Sequence, residues 1–343
     1  MTDQSSPADT VGHHSGTEYV LTTSLGHALD AFKRLELRPP SASFVEDVET
    51  KLRQSVDRAL TGTGFSVVSI PFADLCDSLA ARVHEMRQRH PDARVVSTAP
   101  LVTYDTGGLC LQINRVVDMD GKILGISGRP GHPILSSQVR RLAAALGGQR
   151  VIIVEDGSFT GATLCQTLQE LKTCGVHVVA IVMGILFPEA AKTIAQNFEG
   201  EVLCSHRLEN PVDWMPTHDF FPFVPNCGRV VGISVQSSLH ALHTPTGGNL
   251  SMPYILPYAN PADWASIPAG LAAHQFSVEC LKLTRGIFAE IERINGRQVR
   301  FCDLLGCYPA VGYPVIRGGS FKEFPNVDVR ILDVLDGDLE MLS

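Results

Sequence analysis

Val151-Ile152-Ile153-Val154-Glu155-Asp156-Gly157-Ser158-Phe159-Thr160-Gly161-Ala162-Thr163-Leu164 is the stretch on which the fold turns. Four β-favouring aliphatics predict a buried strand over 151–154. Two adjacent acids follow at its end. Then come Gly157-Ser158-Phe159, a second glycine at Gly161, and a helical pattern over 162–174. Free backbone N–H groups at a helix N-terminus, with the helix dipole, favour an anion. Glycine lets the backbone approach such a ligand closely. Ser158, Thr160 and Thr163 add hydroxyl donors. A phosphate fits this set. Two carboxylates beside it repel an anion, so they serve another part of the same ligand, such as sugar hydroxyls or a bound cation.

Working outward, the pattern alternates. Helices are predicted from Ser24 onward and over 43–62, the second opened by the capping-box pattern Ser43-Phe44-Val45-Glu46. A strand is predicted over 65–70, a helix over 72–90, and strands over 94–98, 110–117 and 122–127. A helix over 136–146 is closed by Gly147-Gly148. Beyond the motif, 176–187 is a near-continuous apolar run, as a strand buried on both faces reads. Pro188 opens a short helix to Asn197, and 201–204 reads as a strand. Uniformly apolar strands alternating with helices predict a mostly parallel α/β sheet covered on both sides. Past residue 205 prolines and aromatics cluster. A long helix is predicted over 270–295, and the last fifty residues read as short strands and turns. The expected organisation is a disordered leader over 1–18, a helical and α/β segment over 19–93, a core over 94–204, and an α+β hood over 205–343 that shapes an acceptor pocket.

The motif resembles that of the type I phosphoribosyltransferases: an apolar strand, two acids, a short loop, then Thr-Gly-x-Thr and a helix. The resemblance implies that Glu155 and Asp156 hold the ribose hydroxyls of phosphoribosyl pyrophosphate (PRPP). It implies that the loop and helix start, Gly157, Ser158, Phe159, Thr160, Gly161, Ala162 and Thr163, grip the 5′-phosphate. It covers about the middle third of the chain. The implied activity is transfer of the phosphoribosyl group to a nucleobase or another small nitrogenous acceptor, with release of pyrophosphate. The transition state is oxocarbenium-like. Glu155 or Asp156 can stabilise its positive charge or accept a proton from the acceptor. Magnesium, held partly by the ligand's own oxygens, is the implied cofactor, and a homodimer the implied assembly. Two departures stand out. The mobile loop usual before the motif strand has no counterpart, because the helix over 136–146 leads almost directly into it. The pyrophosphate loop has two rival candidates, Ser127-Gly128-Arg129-Pro130-Gly131, which offers the cation Arg129, and Tyr104-Asp105-Thr106-Gly107-Gly108.

Two other functions compete. A regulator on the same fold would bind PRPP as a signal without turning it over, and the missing loop favours it. A haloacid-dehalogenase-like phosphatase would use Asp118 and Asp120 of Val116-Val117-Asp118-Met119-Asp120-Gly121. Asp120-Gly121 between two apolar runs is, however, a hairpin signal. The bulk composition narrows the rest. A net charge of −8 without a long basic run argues against a nucleic-acid partner. No run of eighteen apolar residues predicts a membrane helix. Nine cysteines, an odd number without a C-x-x-C pair, fit reduced thiols and a cytoplasmic location. His240 and His243 form a weak ligand pair, with no second pair at zinc-site spacing. The segments around 219–223 and 252–258, with Trp214 and Trp264, read as core or interface.

Overall fold

The computed structural model describes residues 17–99, 109–129, 131–235, 238–243, 250–305, 311–312 and 328–343. The expected leader, the candidate loop 104–108 and Pro130 lie outside or almost wholly outside them. In chain order the elements are β1 (Glu18–Thr23), α1 (Leu25–Leu29), α2 (Ala42–Ala59), β2 (Ser66–Pro71), α3 (Phe72–Arg89), β3 (Arg94–Ser97), β4 (Ile113–Val117), β5 (Ile123–Gly128), α4 (Leu135–Leu146), β6 (Val151–Ser158), α5 (Ala162–Thr173), β7 (Val178–Leu186), α6 (Pro188–Asn197) and β8 (Glu201–Arg207). Then follow β9 (Pro211–Pro216), β10 (Arg229–Val235), β11 (Ser238–Ala241), β12 (Leu250–Met252), α7 (Pro261–Trp264), α8 (Leu271–Asn295), α9 (Phe301–Leu304), β13 (Val311–Gly312) and α10 (Ile331–Met341).

The chain is an α/β protein with parallel sheets flanked by helices, as the alternation predicts. The motif strand β6 lies inside a four-stranded parallel sheet of order β3-β6-β7-β8. Its strands are the apolar runs, and Val151 to Val154 and Ala180 to Met183 have no exposed surface. A second parallel sheet, β2-β1-β9, was not expected from the sequence. A mixed sheet of order β13-β12-β10-β4-β5, with β11 on β10, holds the later strands. The bridge between Ser97 and Cys110 ties the lead-in of β4 to the end of β3.

Side chains alternate across a strand, so a strand between two layers feeds both. β1 does this. Tyr19 and Leu21 enter a core built with α2, α8, α10 and the aromatics Phe220, Phe221 and Phe223. Val20 enters the other core, built with α3, α4, α5, α6 and the motif sheet. On β9, Met215 joins the first core and Trp214 packs on the second. The segment beyond residue 205 therefore pairs back onto the chain's first strand.

Several boundaries correct the sequence reading. β6 runs on through the acids to Ser158, because Glu155, Gly157 and Ser158 keep ladder partners on β7. The cap of α2 is Ser41, whose Oγ accepts the Phe44 N–H at 3.3 Å, and not Ser43. The C-terminal region, expected as strands and turns, holds the helices α9 and α10. Ile331 and Leu335 of α10 are fully buried in the first core. The aromatics expected in the core are there: Phe220 and Phe221, with their neighbour Ile255, have no exposed surface.

Candidate functional site

The site forms where β3 and β6 end. Ligands of open parallel sheets sit beyond the carboxyl ends of the strands, where helix N-termini point at them. Gly184 on β7 makes room for the acid pair, since a Cβ there would lie 2.3 Å from the Asp156 carbonyl oxygen. Glu155 receives the hydroxyl of Thr98, the residue after β3, and Thr98 also donates to the Val154 carbonyl at 3.0 Å. Burial pushes the Glu155 carboxyl well above the ordinary carboxylate range. The charge of Asp156 and a hydrogen bond with it push the same way, while Thr98 and Arg129 pull back.

The turn is shorter than the sequence suggests. Gly157 and Ser158 are strand residues, and only Phe159, Thr160 and Gly161 connect β6 to α5. Gly157 serves a neighbour: a Cβ there would lie 2.5 Å from the Trp214 ring, whose Nε1 donates to Thr22 Oγ1 at 2.7 Å. Ser158 is buried, and its carbonyl accepts the Phe187 N–H at 3.3 Å. Phe159 packs on Phe187 with ring centroids 4.5 Å apart, pinning the turn to the end of β7. Gly161 has φ +83° and lies against α6, where a Cβ would be 3.0 Å from Thr193 Cβ. Thr160, Ala162 and Thr163 remain open to solvent in part or in full, and Thr160 Oγ1 accepts the Ala162 N–H at 3.3 Å.

Arg129, directly after β5, stands close enough to act electrostatically on Glu155, on Cys110 and on His218. The candidate loop that bears Arg129 thus lies within electrostatic reach of Glu155. It lines a small polar cleft of about 170 Å³ with His132, His240 and His243. Gly128 is needed there, since a Cβ would lie 2.0 Å from the Pro133 carbonyl oxygen.

His218 was missed by the sequence reading. It follows β9 in a short helical turn and is 5% exposed. Its Nδ1 lies 2.7 Å from Ser24 Oγ. Burial lowers its basicity, against the opposing charges of Asp219 and Asp156. Its only sequence signal is polarity, Thr217-His218-Asp219 before an aromatic run, and that pattern names no partner.

Asp118 and Asp120 form the hairpin. Asp118 Oδ1 accepts the N–H groups of Asp120 and Lys122 at 3.0 and 2.9 Å, and Gly121 takes φ +82° in the turn between β4 and β5. Asp118 thus spends an oxygen on its own backbone. Among the described residues, no three His, Cys, Asp or Glu side chains converge to hold a metal ion, and no helix is long and apolar enough to cross a membrane.

An acid pair at the end of a parallel strand thus stands beside an open turn and a helix N-terminus. Residues 114–197 match the phosphoribosyl transferase domain, so the family likeness carried by the motif is shown over that stretch. The matched segment runs from β4 through α6. Similar solved structures include TT1426 from Thermus thermophilus, at 18% identity over 40% of this chain and 89% of that one, TM-score 0.27. An adenine phosphoribosyltransferase is 12% identical over 39% of this chain and 79% of its own, TM-score 0.26. Mycobacterium tuberculosis orotate phosphoribosyltransferase in complex with PRPP is 17% identical over 49% of this chain and 91% of its own, TM-score 0.23. No curated protein matches the chain.

Proposed function

We propose that the protein binds PRPP across the end of β6 and transfers its phosphoribosyl group to a small nitrogenous acceptor, releasing pyrophosphate. One observation supports this reading: the acid pair runs directly into the open turn before α5, with Arg129 in electrostatic reach of Glu155, all inside the stretch that matches the phosphoribosyl transferase domain. The 5′-phosphate would rest on the first-turn amides of α5 and the hydroxyls of Thr160 and Thr163. Asp156 and Glu155 would hold the ribose hydroxyls. The pyrophosphate would extend toward Arg129 and the histidine-lined cleft, carrying magnesium on its own oxygens as part of the substrate. Glu155, with its raised proton affinity, is suited to take a proton from the acceptor nitrogen. A homodimer in the cytoplasm completes the proposal.

One feature favours a second reading, a PRPP sensor without turnover. Residues 147–150 alone join α4 to β6, which leaves no room for a covering loop at that point. Both readings share the binding test. Calorimetry with PRPP and magnesium should give saturable binding, and Thr160→Val should weaken it at least tenfold while circular dichroism stays unchanged. Equal affinity in the variant rejects the phosphate placement. Pyrophosphate release with a panel of nucleobases and amines then separates enzyme from sensor.

A further inference from the structure

A larger cleft, about 690 Å³, opens elsewhere: between α2 and the carboxyl end of β1. This is within the size range of pockets that enclose small organic ligands. Its walls are mainly apolar, with Leu21, Leu29, Pro39, Pro40 and Val45 among them. At its side sits Glu49, half-buried on α2. One oxygen of this carboxyl is fully engaged: Oε1 accepts the Leu25 N–H at 2.9 Å and the Thr217 hydroxyl at 2.7 Å. The other, Oε2, is buried and accepts a hydrogen bond from no described residue. Ser69 lines the same cleft from β2, and its buried Oγ likewise has no partner among the described residues. Buried polar atoms are almost always hydrogen-bonded, so two such oxygens on one cavity mark a place where a ligand supplies the donors.

We propose that this cleft binds a small organic cation, an apolar body carrying a protonated amine that donates to Glu49 Oε2 and Ser69 Oγ. An ionised carboxylate only accepts, so the ligand must donate. A cationic donor also offsets the cost of keeping that carboxylate charged under cover. The remaining charged groups facing the cleft are Asp30, Glu46 and Arg53, with His27 beside them. Asp30 pairs with Lys33, and burial lowers the basicity of His27, whose ring packs edge-on against Phe72. The lining is therefore acidic on balance. Among the described residues, no titratable side chain enters it from β1, β2 or α3. A chain of hydrogen bonds also runs from Glu49 toward His218. Thr217 Oγ1 accepts the Ser24 N–H at 2.9 Å, and Ser24 Oγ meets His218 Nδ1 at 2.7 Å. The proposal does not depend on PRPP binding, and a failed PRPP titration leaves it standing.

Benzylamine is the probe, titrated calorimetrically into the full chain at pH 8, with benzyl alcohol as the uncharged control. The expected result is saturable benzylamine binding, at least tenfold tighter than the alcohol, and at least tenfold weaker in Glu49→Gln. Affinity should fall between pH 8 and pH 5.5 as Glu49 takes up a proton, and the same series should be flat in Glu49→Gln. Ala42→Trp, which fills the cleft and leaves Glu49 in place, should abolish binding. Should Glu49→Gln fail to fold, Ser69→Ala and Ala42→Trp decide the matter. Absence of saturable binding in the folded parent, or equal affinity for amine and alcohol, or binding unaffected by these substitutions, overturns the proposal.

Discussion

Gly161 is where a single atom decides the local backbone. Its φ of +83° lies in the left-handed region, and the space a Cβ would enter is held by Thr193 on α6. Gly161→Ala should therefore lower the unfolding free energy by roughly 1–2 kcal/mol in urea titrations, through backbone strain and the contact with α6. An unchanged midpoint would contradict that account. For the same reason Thr160→Val, and not a change at Gly161, is the clean probe of phosphate binding. Glu49 makes a second prediction at this scale. Its folded carboxyl is raised from 4.5 to about 7, first by burial. The folded state then holds a proton the unfolded state has released. Its contribution to stability is complete below pH 4.5 and is lost as pH rises through 7. At about 1.4 kcal/mol per pH unit the loss amounts to roughly 3 kcal/mol. Stability curves at pH 4.5 and pH 8 should show this slope in the parent and not in Glu49→Gln. The sequence could show the acid pair because its two members are adjacent and followed by a turn. It could not show Glu49, which looks like one more acid on the polar side of α2. The Thr217 hydroxyl that helps enclose it is 168 residues away.

Elements were read well where a local rule dominates. The Pro188 start of α6, the αL Gly147 that ends α4 and the Asp118 turn each follow from residues next to one another. The reading failed where tertiary pairing sets the boundary. β1 was missed because six residues beside a helix start carry little periodicity. Its identity comes from β2 and β9, which pair with it on either side. β6 outran its aliphatic stretch because β7 offers ladder partners past the acids. Helix α10 was missed, and its helical face, Ile331, Leu332 and Leu335, shows itself only as a stripe buried in the first core. The start of α2 provides the element-scale test. Ser41 caps the helix, while Ser43 Oγ meets only Ser41 Oγ among the described contacts, at 3.1 Å. Ser41→Ala should cost about 1 kcal/mol by urea denaturation, and Ser43→Ala only a few tenths. The reverse order would restore Ser43 as the cap.

At the scale of the whole molecule, the sheet β2-β1-β9 decides how the protein unfolds. It separates two hydrophobic cores, yet β1 is a wall of both: Tyr19 and Leu21 on one side, Val20 on the other. Neither core keeps its boundary if that strand leaves. The chain's early and late segments are also closed together through it, since β9 pairs with β1 across nearly two hundred residues of intervening sequence. Two cores that share a wall should melt as one cooperative unit, whereas two that merely touch would melt apart. The two tryptophans make this measurable, because each packs on a different core: Trp264 on the first, Trp214 on the second. In Trp214→Phe the remaining fluorescence follows the first core, and in Trp264→Phe it follows the second. Trp214→Phe also removes the bond to Thr22, so each variant must be compared with its own far-ultraviolet circular dichroism and not with the other. Coincident fluorescence and dichroism transitions are expected in both variants, with a single midpoint for each. A fluorescence transition displaced from the dichroism transition in either one would mean that the cores unfold separately and that β1 does not couple them.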